Sequence, residues 1–153
     1  MPVTPELRDA VLALAPRPDQ SPWSGEARWT LPAAESHPRR TPCTALLDGL
    51  PVAFFILDTG SDVALYEPLP NTVGVRALYV DRSRQGEGIG TAMLRAMPGL
   101  ARRLYPGAER LALTVNENNP IAVRAYLGAG FVDTGRFYRA GALGPQHVLV
   151  RDL

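Results

Sequence analysis

The sequence predicts an α/β fold built around a mixed sheet, and three observations carry that expectation. In the second half of the chain, β-branched apolar runs alternate with runs of helical spacing, in the order strand, helix, strand, helix, which calls for parallel strands. The stretch RQGEGIGT, Arg84 to Thr91, joins one strand directly to a helix through alternating glycines. At 153 residues the chain is long enough for one real core, so residues 1–153 are expected to form one domain.

Thr4 and Pro5 read as the cap and first position of a short helix. Leu7, Val11, Leu12 and Leu14 fall near one face before Pro16 and Pro18 end it. From Arg17 to Pro42 the chain is rich in proline and holds Trp23, Trp29 and His37; Thr30 followed by LPAAE permits a further turn or two of helix. CTALLDGLPVAFFILDTG reads as a hairpin turning at Asp48 to Pro51, its second strand apolar enough to be covered on both faces. Thr72 to Asp81 is a third strand leading into the glycine loop. Ile89, Met93, Ala96, Met97, Leu100 and Leu104 then mark one stripe of a helix, with a kink or break expected at Pro98, which cannot donate to the carbonyl four residues back. Arg110 to Val115 is a strand. In NNPIAVRAYLGAG, Asn119 caps a short helix, Pro120 opens it and Gly130 lies past its end. FVDTGRFY and QHVLVRD form a closing hairpin.

Composition narrows the chemistry. A formal net charge of +1 offers no electrostatic footprint for nucleic acid or an anionic membrane, and no apolar run approaches the roughly 20 residues of a spanning helix. All 16 basic residues are arginine, which excludes a Schiff-base lysine, a lysine nucleophile and a Walker phosphate loop. With Cys43 as the single cysteine there is no internal disulfide, and no secretory leader is visible; a cytoplasmic protein is the expectation.

A glycine-rich turn between strand and helix leaves the first helical N–H groups unpaired at the positive end of the helix dipole, which makes an anion site. Glycines at 86, 88 and 90 let a phosphate approach the backbone; the alternative is that they only make a tight turn. The dinucleotide fingerprint has a different glycine spacing, so the loop indicates a phosphate-bearing cofactor without naming it.

QGEGIG, Gln85 to Gly90, resembles the Q/R-x-x-G-x-G/A motif of the GCN5-related N-acetyltransferases (GNAT), placed as in that family after a strand ending LYVD. Downstream, NNPIAVRAYLGAGF resembles the family's second signature, an Asn-capped helix carrying Ala, then Tyr, then Gly-Phe. The resemblance covers Gly74 to about Tyr138. PDQSPW and GLPVAFFILD resemble more weakly a branch that includes bacterial polyamine acetyltransferases. It implies the GNAT fold: a mixed sheet of about six or seven strands with splayed parallel central strands, flanked by helices.

It also implies acetyl-CoA as cosubstrate. Gly86, Glu87, Gly88, Ile89, Gly90 and Thr91 would offer backbone N–H groups to the pyrophosphate, with Gln85 at the leading edge. Leu78, Tyr79 and Val80 would pair with the pantetheine arm through a bulged strand, and the Val80 N–H would polarise the thioester carbonyl. Asn119 would contact the pantetheine, and Tyr126 would hold its hydroxyl near the sulfur. N-acetyl transfer requires a neutral amine, a donor to the oxyanion and a proton for the leaving thiolate; Val80 serves the second and Tyr126 the third.

Better-defined branches place a base glutamate where this chain has Gly74 and Thr114. Glu67, Asp81, Glu117 and Tyr79 are candidates, each with a reading as an ordinary surface or loop residue, and a water chain is equally open. Cys43 reads as a buried structural thiol. His37, His147 and Cys43 make no metal set, so no metal site is expected. Trp23 and Trp29 are either core or acceptor-pocket residues, and Arg39 with Arg40 a solvated pair unless the acceptor is acidic. The acceptor implied is a primary amine: a small amine, a polyamine or a peptide N-terminus. A homodimer is compatible with the family. The alternative is a catalytically inactive CoA-binding module that acts as a sensor or partner-binding domain.

Overall fold

The computed structural model describes residues 1–60 and 62–153. Its helices are α1 (Arg8–Leu12), α2 (Ala27–Glu35), α3 (Ile89–Leu104) and α4 (Pro120–Gly128). Its strands are β1 (Arg40–Leu47), β2 (Leu50–Asp58), β3 (Thr72–Val80), β4 (Arg110–Asn116), β5 (Val132–Tyr138) and β6 (Gln146–Asp152). The sheet has six strands in the order β1-β2-β3-β4-β6-β5, with β3 and β4 parallel and β1/β2, β4/β6 and β5/β6 antiparallel. This is the mixed α/β sheet that the strand-helix alternation demands. The chain forms two compact units, Met1–Asp58 with Val75–Met93, and Thr59–Gly74 with Leu94–Leu153.

In the first unit the β1/β2 hairpin turns on two residues, Asp48 (φ 51) and Gly49 (φ 78), instead of four. Both are left-handed, as the tight turns that match strand twist require. Pro51 is therefore inside β2, opposite Leu46 and next to the register shift at Ala45/Leu46, a place where a missing ladder donor is tolerated. Val52 to Asp58 are all buried, as expected of a strand covered on both faces.

The core of this unit packs Val11, Leu14, Leu31 and Ala34 from the α1–α2 region with Phe54, Ile56 and Tyr79 from the strands. Helix α1 starts at Arg8, three residues beyond the expected start: the Thr4 carbonyl takes the Leu7 N–H, so Thr4–Leu7 is a turn and no side chain caps the helix. Helix α2 starts at Ala27, and Thr30 lies inside it. Its hydroxyl back-bonds to the Glu26 and Gly25 carbonyls at 3.0 and 3.1 Å. Arg40 is not a solvated partner of Arg39. It lies against the buried Asp58, whose Oδ2 accepts from Arg40 Nε at 3.0 Å and from Arg76 Nη1 at 2.9 Å.

In the second unit β4 is paired with β6 along its whole length, from Arg110↔Asp152 to Asn116↔Gln146, and β3 pairs with β4 over Thr72–Gly74. Helix α3 runs unbroken through Pro98, where the sequence suggested an interruption. Arg151 supplies the reason. Pro98 leaves the Leu94 carbonyl without its helical donor, and Arg151 Nη1 on β6 donates to that carbonyl at 3.2 Å. Gly130, left-handed at φ +92, lies beside the guanidinium; a Cβ there would be in ordinary contact, 3.4 Å from Arg151 Nε. Within α3, Met93, Leu94, Met97, Leu100 and Ala101 are buried while Ala96 faces solvent, so the buried stripe is rotated from the expected one.

Arg151→Met should cost about 1 to 3 kcal/mol, the usual penalty of an orphaned buried carbonyl. The loss should shrink in a Pro98→Ala background, which returns the helical donor; urea unfolding of the double-mutant cycle reads the coupling.

Candidate functional site

The end of β3 is tied into the segment that follows α1. The Arg82 N–H donates to the Ala15 carbonyl at 2.8 Å, and Asp81 Oδ1 accepts from the Ala15 N–H at 2.9 Å. Asp81 Oδ2 accepts from the Ser83 N–H and hydroxyl, capping a short 3-10 turn at Arg82–Arg84. Burial opposes ionisation of Asp81, but the hydrogen bonds from Ser83 and Ala15 outweigh it and hold the carboxyl below its ordinary value. Asp81 is thus a loop anchor, not a base.

Gln85 fastens the leading edge of the glycine loop. Its Nε2 donates to the Val80 carbonyl at 3.1 Å and to Gln20 Oε1 at 2.7 Å. Gly86 and Gly88 have φ of +82 and +78, and open space lies where each Cβ would be. Their left-handed conformation makes a tight turn, and no other atom lies within 4 Å of either missing Cβ. Glu87 turns outward to Arg84, 2.7 Å away. Gly90 already belongs to α3, where a Cβ would lie 3.5 Å from Val80 Cγ2. The first helical bond runs from the Ala92 N–H to the Gly88 carbonyl, so the N–H groups of Ile89, Gly90 and Thr91 precede any intrahelical acceptor. The loop is therefore a backbone-donor cradle at a helix N-terminus.

Within β3, Ala77 has φ 55, an irregularity just before Leu78, Tyr79 and Val80. Tyr79 turns its ring into the core. Its hydroxyl donates to the Leu14 carbonyl at 3.0 Å and accepts from the Ala27 N–H at 2.7 Å. Burial pushes the phenol up to about 12. Both hydrogen-bonding functions are spent, which removes Tyr79 as a base.

In the second unit, Asn119 caps α4 with Oδ1 accepting from the Ala122 N–H at 3.4 Å, and Pro120 opens the helix. The half-buried Tyr126 packs edge-on against Phe131, ring centroids 5.9 Å apart, and burial pushes its phenol up to about 12. Among the described residues its hydroxyl makes no hydrogen bond within the protein, in contrast with Tyr79. Gly74 and Thr114 carry no acid. Glu67, expected at a solvated surface, is buried and ion-paired to Arg136, while Glu117 is exposed just beyond β4.

His147 on β6 has a carboxylate partner that strand reading missed. Its Nδ1 stands 3.3 Å from Asp133 Oδ2 on β5. The register explains the oversight. A shift between Asp133 and Phe137, with Gly135 at φ +75, puts His147 opposite Phe137 and leaves Asp133 beside it. Gly135 inside a strand pattern is the one signal of a bulge that the sequence carries.

Cys43 is fully buried, and burial pushes its thiol up to about 12, so it is no nucleophile. His37 Nδ1 accepts from the Arg39 N–H at 3.2 Å. Trp23 and Trp29 are not core residues: they are 37% and 69% exposed, with Arg28 stacked 5.0 Å from the Trp29 ring. Among the described residues no cluster of His, Cys, Asp and Glu is placed to hold a metal, and no helix is long and apolar enough to cross a membrane.

A mixed sheet whose parallel pair is joined by a glycine-looped helix, followed by an Asn-capped helix bearing a tyrosine, defines an acetyltransferase of the GNAT type. The Acetyltransferase (GNAT) family model matches residues 8–131, and the chain belongs to that family. A curated relative, an uncharacterised N-acetyltransferase YbbJ of Bacillus subtilis (strain 168), is 32% identical over 111 residues, 72% of this chain and 69% of that protein. In fold the chain is similar to AAC(6')-Ib solved with paromomycin and acetyl-CoA, with TM-score 0.76 and 22% identity over 99% of this chain and 91% of that one. It is also similar to an uncharacterised protein from Bacillus halodurans, with TM-score 0.79 and 13% identity over 99% and 81% of the two chains. The chain is an N-acetyltransferase by class, with acetyl-CoA as its cosubstrate.

Tyr79→Phe should orphan the Leu14 carbonyl and the Ala27 N–H together and cost about 2 to 4 kcal/mol, measured by chemical unfolding. The folded fraction should keep most of its coenzyme A affinity, because only the hydroxyl is removed and the Asp81, Arg82 and Gln85 contacts beside the loop remain.

Proposed function

We propose that this protein transfers the acetyl group of acetyl-CoA to a primary amine of a small molecule, by direct attack in a ternary complex. The observation that carries the reading is the cradle: two left-handed glycines with open space above them, at the start of α3, pinned to β3 by Gln85. In this reading the N–H groups from Gly86 to Thr91 hold the coenzyme A pyrophosphate. Hydrogen bonds to a charged group contribute about 1.5 to 3 kcal/mol each.

Leu78, Tyr79 and Val80 offer their backbone to the pantetheine arm, following the irregularity at Ala77. Asn119 contacts the same arm. The Val80 N–H donates to the oxygen that becomes negative when the amine attacks, and the Tyr126 hydroxyl protonates the departing thiolate. Tyr126 suits that role because its phenol, pushed up to about 12, stays protonated across the neutral range and has no internal partner to satisfy first. The small-molecule acceptor is supported by the fold likeness to an aminoglycoside-bound acetyltransferase.

The test mixes the protein with acetyl-CoA and a panel of primary amines and follows free thiol release. Turnover above the hydrolysis blank is expected with at least one amine. Coenzyme A binding without any thiol release would instead make the chain an inactive binding module. Tyr126→Phe should lower turnover at least about tenfold with little change in coenzyme A affinity; the full effect of losing a general acid is about a hundred to ten thousand. Gly88→Val should abolish coenzyme A binding by calorimetry, since a β-branched residue is strained at φ +78 and its side chain fills the cradle.

A further inference from the structure

PDQSPW, Pro18 to Trp23, carries no group that acetyl transfer uses, yet one of its side chains reaches the glycine loop. The carboxamides of Gln20 and Gln85 are half-buried and face each other. Gln85 Nε2 donates to Gln20 Oε1 at 2.7 Å, and Gln20 Nε2 donates to Gln85 Oε1 at 3.3 Å. Gln85 Nε2 gives its other proton to the Val80 carbonyl at 3.1 Å. A carbonyl only accepts, so the nitrogen end of Gln85 must turn to β3, and its oxygen end needs a donor elsewhere. Gln20 is that donor, and it also accepts the second proton of the amide. Among the described residues no other side chain bonds to the Gln85 carboxamide.

Gln20 is presented from a stiff support. Its N–H donates to the Arg17 carbonyl at 2.9 Å, and its carbonyl accepts from the Trp23 N–H at 2.9 Å. Pro18 and Pro22 lie on either side of it, each with its own φ locked by the ring. Upstream, the Ala15 N–H donates to Asp81 Oδ1, and the Ala15 carbonyl accepts from the Arg82 N–H. The segment is thus bonded to the end of β3 at its base and to the loop at its tip.

Gln85 stands directly before Gly86, whose φ of +82 opens the left-handed part of the loop. Glycine loses more conformational freedom on ordering than any other residue, so a glycine-rich turn stays aimed only if its ends are held.

We propose that Gln20 is a positioning residue for cofactor binding: it locks the Gln85 carboxamide onto the Val80 carbonyl and so holds the glycine cradle in the geometry that receives the coenzyme A pyrophosphate. This rests on the acetyltransferase reading above. Gln20 touches neither cofactor nor acceptor in this scheme and moves no proton. Without its amide the Gln85 side chain keeps one partner and can rotate away from β3, and the cost of ordering the loop then falls on the binding step. Both partners are neutral amides, so the effect is independent of their ionisation and is little screened by salt.

The experiment measures coenzyme A affinity by calorimetry on the full chain as wild type, Gln20→Met, Gln20→Asn, Gln85→Met and the double variant Gln20→Met/Gln85→Met. Met keeps the length of the side chain without its hydrogen bonds, and Asn keeps the amide without its reach, so either variant alone decides the question. Both should bind coenzyme A about tenfold more weakly, by the same factor at about pH 6 and about pH 8 and at low and high salt. The double variant should bind no more weakly than Gln85→Met, because Gln20 acts only through Gln85. Nitrogen-15 relaxation of the ligand-free protein should show lower order parameters for the Gly86 and Gly88 amides in the Gln20 variants, with those of β2 unchanged. Wild-type affinity in a folded Gln20 variant would overturn the proposal while leaving the acetyltransferase reading intact. So would a Gln20 deficit that persists in full in the Gln85→Met background, or unchanged order parameters at Gly86 and Gly88. No coenzyme A binding by wild type would overturn the cofactor reading, and this role with it.

Discussion

The buried hydroxyl of Tyr79 holds both ends of the irregular segment between α1 and α2. It gives its proton to the Leu14 carbonyl and takes one from the Ala27 N–H, so one phenol on β3 closes a proline-rich stretch that has little regular hydrogen bonding of its own. The next residues along the chain repeat the attachment, Asp81 and Arg82 to Ala15 and Gln85 to Gln20. The glycine loop therefore hangs from a strand end that is bonded on both sides. A backbone cradle binds an anion well only if its N–H groups are already aimed, and in the proposed reading these contacts are what would aim them.

The same economy governs the proline in α3. A helix interior with Pro98 and Gly99 should be weak, and a break would rotate everything downstream. Arg151 restores the missing bond from β6, beside the left-handed Gly130. The side chain brings a charge into a half-buried place, and the charge is used on a carbonyl that would otherwise be unmet.

Chemistry here is distinguished by which polar groups remain uncommitted. Tyr79 and Tyr126 are both shifted upward by burial, so the shift does not separate them. Their hydrogen bonds do: Tyr79 is a structural bridge, whereas among the described residues the Tyr126 hydroxyl makes no hydrogen bond. Among the acids, Asp81, Glu67 and Asp58 are taken up by caps and arginines. Asp133 differs, because one of its oxygens faces a histidine.

The sequence by itself determined the strand-loop-helix unit, the capped α4 and the closing hairpin, because these rest on local rules. Glycine tolerates left-handed φ, asparagine and proline open a helix, and apolar period sets the element. The glycine loop and NNPIAVRAYLGAGF were sufficient for the family, since both signatures are contiguous. Tertiary structure alone decided the rest. The span of α2, the exposure of Trp23 and Trp29, the burial of Glu67, the pairing of Arg40 with Asp58, and the continuity of α3 all depend on partners distant in the chain. The Asp133–His147 pair depends on a single-strand register shift, which changes which side chains are neighbours while leaving the hydrophobic pattern of the strand almost unaltered.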